Sequence, residues 1–170
     1  MRLHHVLVNP MRSHQSQGIS LIELMVTIAL MIILTLIGLP LTKAWGDSAR
    51  QREAAGVLAE GLGRAKALAM RNPGGIEDTA KPSGYACLTG STIAVARTDL
   101  GGACGKGQLD WSGTIPTEAS AKLPSGSAFQ CVAYNSRGEA LAIVINGLAC
   151  TTASPEILLG QEDAFTVDIP

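Results

Sequence analysis

The side chains able to do chemistry are few, and they are sorted along the chain. All three histidines, His4, His5 and His14, precede Gly18. Beyond Gly18 no imidazole remains to act as a general base, so Ser-His-Asp and Cys-His nucleophilic designs and His-containing zinc sites are excluded there. The four cysteines, Cys87, Cys104, Cys131 and Cys150, fall late in the chain. An even number in an exported domain favours two disulfides, for which three connectivities exist. Short local loops favour Cys87–Cys104 and Cys131–Cys150. The rival reading, four thiolates around one metal ion, lacks any C-x-x-C pair to support it. The last candidate is Glu23, the single charged residue between Ile19 and Leu39.

The element that must carry Glu23 is a helix. Residues 19–39 are 21 residues without Lys, Arg or Asp. At 1.5 Å per residue they would reach roughly 31 Å, the thickness of a hydrocarbon core. A carboxylate near the start of such a span is costly unless a partner neutralises it, which makes Glu23 a functional candidate. The preceding residues, 1–18, hold Arg2 and Arg12 and no acid, so the positive-inside rule places them in the cytoplasm. A conventional signal peptide would have a shorter apolar core and a small-residue cleavage site after it. Here Ala44-Trp45-Gly46 is a poor site of that kind, and the conspicuous glycine, Gly18, stands before the run. Gly38 and Pro40 predict an interruption of the helix, because proline lacks an amide donor and meets the carbonyl of Leu36. Lys43 and Trp45 suit the interfacial layer beyond it.

From Asp47 the pattern is helical again, with Asp47 or Ser48 as the cap and Asn72-Pro73-Gly74-Gly75 as the stop. Ala54, Leu58, Gly61, Leu62, Ala65, Leu68 and Ala69 share one narrow, small-residued face suited to lying close against a sheet. Arg52, Glu53, Glu60, Arg64, Lys66 and Arg71 lie away from its centre, with Glu60 and Arg64 spaced as an i,i+4 pair. After Gly75 short β-like runs take over: Tyr85–Leu88, Thr92–Thr98, Gln108–Trp111, Ala128–Asn135, Ala140–Ile145 and Phe165–Ile169. Asn135-Ser136-Arg137-Gly138 reads as a hairpin turn. The expected fold class is therefore α+β: a long N-terminal helix, transmembrane then amphipathic, followed by a β-rich globular head. Its parts are a leader (1–18), a span and kink (19–46), a helix (47–72) and a head (76–170).

Gly18-Ile19-Ser20-Leu21-Ile22-Glu23-Leu24-Met25-Val26 resembles the processing site of type IV prepilins and type II secretion pseudopilins. The resemblance implies cleavage after Gly18, methylation of the new N-terminus at Ile19, and Glu23 as the fifth mature residue. Pro40 becomes the twenty-second, where pilins commonly carry proline. Ile19 departs from the more usual Phe. Two weaker likenesses, A-K-A-L-A-M-R-N at the end of the second helical stretch and Y-N-S-R-G-E-A at the hairpin, resemble the FimT/GspH group of minor pilins and pseudopilins.

The family resemblance implies a type IV pilin-like fold and a structural role. It makes the chain a minor pilin or pseudopilin that primes or joins a type IV pilus or a type II secretion pseudopilus. Implied partners are other pilin subunits through the N-terminal helix, the prepilin peptidase/N-methyltransferase and the bacterial inner membrane. The chain would be single-pass, with its head in the periplasm before filament entry. No cofactor, no metal and no catalysis are expected. The alternative is a DNA-binding minor pilin used in DNA uptake. Against it, after Pro40, 11 Lys and Arg are outnumbered by 13 Asp and Glu. No Lys or Arg follows Arg137, whereas Glu139, Glu156, Glu162, Asp163 and Asp168 do.

Overall fold

The computed structural model describes residues 19–98, 104, 109–160 and 162–170. The layout is α+β, one long N-terminal helix followed by antiparallel strands. Helix α1 runs Leu21–Arg71. The chain divides into two compact units, Met1–Pro40 and Leu41–Pro170.

The helical assignment runs through Gly38 and Pro40, so the interruption expected there does not take the chain out of the helix and no fresh helix starts at Asp47. A proline in a helix forfeits one amide donor and disturbs one carbonyl, a local loss that flanking turns of Leu, Ile and Ala can absorb. Ser48 is consequently no cap. Its Oγ donates instead to Glu162 Oε2 at 3.1 Å. The C-terminal stop is where the sequence puts it. Asn72 takes a left-handed φ of 44°, its Oδ1 accepts from Ile76 N at 2.8 Å and Ser83 Oγ at 2.9 Å, and its Nδ2 donates to Ile76 O.

In the second unit β1 (Gly84–Thr89), β2 (Thr92–Arg97), β3 (Leu109–Thr114), β5 (Cys131–Tyr134) and β6 (Ala140–Leu141) form a sheet ordered β3-β2-β1-β5-β6. β4 (Ser120–Lys122), β9 (Glu156–Leu158) and β10 (Phe165–Thr166) form a second, ordered β10-β9-β4. β7 (Val144–Ile145) and β8 (Leu148–Ala149) pair as a small hairpin.

The period of two along the central strands sorts their side chains into two cores. Ala86, Ile93, Val95, Val132 and Tyr134 share one cluster with Ala54, Ala55, Leu58, Leu62, Ala65 and Ala69 of α1. The small-residued face read from the sequence is thus the buried face. Gly84 shows how close the approach is: a Cβ there would lie 3.1 Å from both Ala65 O and Ala69 N. Tyr85, Cys87, Ala94, Ala96, Cys131 and Ala133 point the other way and form a second cluster with Ile145 and Cys150.

The disulfides Cys87–Cys104 and Cys131–Cys150 lie on this second face. They tie the chain at Cys104 and the end of the β7–β8 hairpin to the central strands. Two-residue strands cannot hold themselves in place, so these crosslinks supply what hydrogen bonding there lacks.

Some strand expectations shift. The run Ala140–Ile145 splits into β6 and β7, which belong to different sheets. The signal for the second hairpin was present in Asn146-Gly147, whose φ values of 52° and 82° suit the tight turn that Asn-Gly favours. β4 and β9, at three residues each, are too short for periodicity to reveal. Gln108, the expected start of β3, lies outside the described residues.

Candidate functional site

The first unit is described from Ile19 onward, and its surface is apolar side chain. Ile19, Leu21, Ile22, Met25, Met31, Leu34, Leu36 and Ile37 are all more than 60% exposed. None of the most apolar 18-residue window of α1 is buried, and its mean hydropathy is 2.6. By length and composition this is a helix that could cross a membrane. Its hydroxyls do not oppose that. Thr27 Oγ1 donates to Leu24 O at 2.8 Å, and Thr35 Oγ1 donates to Met31 O at 2.9 Å and Ile32 O at 2.8 Å. These groups meet their hydrogen-bonding needs inside the helix, as an apolar surrounding requires.

Glu23 stands in the first turn of α1. A carboxylate suits the positive end of a helix dipole, and Ser20-Leu21-Ile22-Glu23 has the spacing of a capping box, a local signal the sequence reading did not use. Leu24 N donates to Ser20 O at 3.1 Å, closing the first turn on Ser20. Glu23 is exposed, and among the described residues no cation pairs with it. Of the other residues singled out by the sequence, Ile19 is four positions before Glu23 and exposed, and Pro40 lies within the helical backbone. Gly18 lies outside the described residues, as do residues 1–17. The four cysteines sit apart from all of these, in the head.

The head carries a polar centre that the sequence reading missed. Asn135 is 1% exposed. Its Nδ2 donates to Thr79 O at 3.0 Å and Glu139 Oε2 at 2.7 Å, and its Oδ1 accepts from Arg137 N and Glu139 N, both at 3.0 Å. All its hydrogen-bonding capacity is spent on closing the β5–β6 turn and tying it to the loop after α1. Gly138 closes the same turn with φ 80°, and a Cβ there would meet Lys66 and Met70 of α1. The two tyrosines of the central sheet are pushed above their ordinary pKa by burial. For Tyr134, whose hydroxyl has no hydrogen-bond partner among the described residues, the rise is large.

Basic side chains of the head do not converge. Arg64 pairs with Glu60 at 2.7 Å and lies 5.2 Å from the ring centroid of Trp111, on the edge strand β3. This guanidinium is already engaged by a carboxylate and an indole. Among the described residues no group of three His, Cys, Asp or Glu is placed to hold a metal ion.

The comparisons with known proteins are negative. No protein-family model matches the chain, and neither does any curated protein or solved structure.

Proposed function

We propose that this protein is a structural subunit of the type IV pilin class, a minor pilin or pseudopilin that enters or primes a filament after its leader is removed behind Gly18. One observation carries the reading. A membrane-length helix, apolar on every side, begins with a lone carboxylate five residues beyond a glycine that ends a basic leader. A permanent anchor has no use for that acid. An assembly helix does, because cleavage frees a cationic amine at Ile19, and Glu23 of one subunit can neutralise the amine of the next. The pairing offsets a desolvation cost of about 2–3 kcal/mol for a carboxylate in hydrocarbon and fixes the stagger between neighbouring subunits. Methylation keeps the amine charged.

The β-rich head, likened to the FimT/GspH group by its helix end and hairpin, is the part left outside the membrane. A DNA-binding role is the weaker reading. The acid-rich stretch after Arg137 would repel phosphates, and Arg64 is held by Glu60 and Trp111.

Mass spectrometry of the mature protein tests the processing step: it should begin at a methylated Ile19. An intact Met1, or a start near Asp47, would overturn the proposal. Glu23→Gln and Glu23→Ala then test the pairing. Both should be cleaved, and both should enter filaments poorly. If Gln assembles normally and only Ala fails, Glu23 acts through helix capping and not through charge.

A further inference from the structure

The four cysteines are a chain of neighbours on the second face of the sheet, beyond their pairing into two disulfides. Cys87 in β1 and Cys131 in β5 stand directly opposite each other in the ladder, both 0% exposed and both on that face. Cys104 is bonded to Cys87 on one flank and Cys150 to Cys131 on the other.

The hydrogen-bond pattern fixes how near the middle two are. Leu88 N donates to Gln130 O at 2.8 Å, so Leu88 and Gln130 are a hydrogen-bonded pair, and their neighbours Cys87 and Cys131 are a non-hydrogen-bonded one. Cys131 accordingly turns its backbone away from β1, and its carbonyl accepts from Thr151 N at 2.9 Å on the Cys150 side. At such a position Cα atoms are about 4.5 Å apart, with side chains closer than at hydrogen-bonded positions. The bonded pairs have Cα separations of 4.4 Å for Cys131–Cys150 and 5.9 Å for Cys87–Cys104. Disulfides accept about 4.4–6.8 Å. Cys87 and Cys131 are therefore within bridging reach of each other as well as of their native partners. Cys87 and Cys150 flank Cys131 from opposite sides, about 10 Å or two strand spacings apart, which is too far to join.

We propose that these cysteines are an exchange site for a dithiol reductant, which moves the bridge to Cys87–Cys131 and leaves Cys104 and Cys150 as thiols. The entry point is Cys104, half-buried where the other three are buried. A thiolate of the reductant attacks Cys104 Sγ, breaking the Cys87–Cys104 bond and sending the electron pair to Cys87 Sγ. The reductant's second thiolate closes on the first, releasing Cys104 and leaving the reductant as its own disulfide. Thr89 Oγ1, which donates to Cys104 Sγ at 3.3 Å, is placed to hold the thiolate that leaves there. Cys87 thiolate then attacks Cys131 Sγ. The Cys87–Cys131 bond forms, the Cys131–Cys150 bond breaks, and the pair goes to Cys150 Sγ, which takes a proton from water. Two electrons enter in the first reduction and none in the transfer. Entry at Cys150 gives the same product, with Cys131 attacking Cys87.

The ladder makes this product the favoured one. Register holds Cys87 against Cys131 whether or not they are bonded, whereas Cys104 lies outside the strands and Cys150 just after a two-residue one. Sulfurs held together react at a high effective concentration, and those on released segments do not. The transfer leaves the sheet crosslinked and unties Ile143, Ile145, Leu148 and Cys150, which pack in one cluster with Tyr85, Ala94, Ala96 and Ala133 of the central strands. The reduced head keeps its sheet and loosens its second face. The step requires neither a membrane span nor filament entry, so it stands apart from the function proposed above.

The test uses the full chain in detergent with both native disulfides formed. Dithiothreitol is added in increasing amounts without denaturant, the reaction is stopped with acid, and free thiols are alkylated. Arg97, Lys106 and Arg137 fall between successive cysteines, so trypsin puts each cysteine on its own peptide and mass spectrometry reads every pairing. Among molecules that retain one disulfide, Cys87–Cys131 with alkylated Cys104 and Cys150 should outnumber either native pair by about fivefold or more. Native pairs alone in that fraction would refute the exchange. An equal share of Cys87–Cys131 when the reaction is run in urea would mean random pairing and overturn the argument from register.

Cys104→Ser combined with Cys150→Ser provides a second measurement. This variant should oxidise to Cys87–Cys131 as a folded monomer; two persisting thiols, or bridges only between chains, would overturn the proposal. In the exchanged species amide hydrogen exchange should quicken across residues 144–150 and stay slow across 84–89. Unchanged protection at 144–150 would refute the loosening of the second face.

Discussion

Replacement of Asn135 by Ala tests whether one buried amide organises the junction between α1 and the sheet. The wild-type side chain makes four hydrogen bonds, to Thr79 O, Glu139 Oε2, Arg137 N and Glu139 N, at 1% exposure. At about 0.5–1.5 kcal/mol net for each, their loss comes to about 4 kcal/mol, some of it recovered where the freed groups reach water. Against a typical domain stability of 5–15 kcal/mol that is a large fraction. The assay is urea unfolding of residues 41–170 with both disulfides intact, followed by circular dichroism. Asn135→Asp separates the contributions. It retains both acceptor bonds but loses the donors, and it sets a second carboxylate against Glu139, whose Oε2 is 2.7 Å from Asn135 Nδ2. Its deficit should be comparable at pH 7 and should shrink as the pH falls, because a proton shared between the two acids relieves their repulsion. Asn135→Asp combined with Glu139→Gln should recover part of the loss at neutral pH. An Asn135→Ala domain within about 1 kcal/mol of wild type would refute the reasoning, because it would mean that the four bonds are replaced by water at no cost.

Other outcomes follow from the same packing. Gly84→Ala should destabilise the domain by about 1–3 kcal/mol, because the new methyl meets backbone atoms of Ala65 and Ala69 that cannot rotate away; denaturant midpoints measure this. Cys131→Ser with Cys150→Ser opens a loop with a sequence separation of 19 and should cost about 3 kcal/mol, with earlier proteolysis around β7 and β8 than around β1. Tyr134→Phe should leave stability unchanged or raise it by about 1 kcal/mol, since the deleted hydroxyl has no partner among the described residues. Burial raises the pKa of Tyr85 and Tyr134, so the unfolded state ionises first as pH climbs through about 10. Stability is then full below that pH and falls above it, and the fall should be smaller in Tyr134→Phe. Alkaline unfolding curves of the two proteins check the sign.

The parts of this protein legible in its sequence are those decided by neighbours along the chain. Apolar continuity from Ile19 to Leu39, the acid at Glu23 and the Asn72-Pro73-Gly74-Gly75 stop depend on local composition and backbone geometry. The buried face of α1 was readable because a helical period of 3.6 sorts Ala54, Leu58, Leu62, Ala65 and Ala69 onto one side whatever covers them. Pro40 does not take the chain out of the helix, since the local penalty of a proline does not by itself end one flanked by strong helix formers.

What only the tertiary structure decided involves partners distant in sequence. Nothing around Gln51 indicates that carbonyls more than a hundred positions away will bury it, or that Ser48 will face Glu162 instead of capping a helix. Asn135 looks like an ordinary turn residue until the loop after α1 brings Thr79 O onto its amide. The two-residue strands carry too few side chains for any period to show. β7 and β8 are held by the Cys131–Cys150 crosslink and the second core, whereas β6 and β10 depend on pairing with β5 and β9. Local chemistry thus determined the helix and its exceptional acid. The head's shape came from long-range burial, whose energy depends on surfaces that only the folded chain brings together.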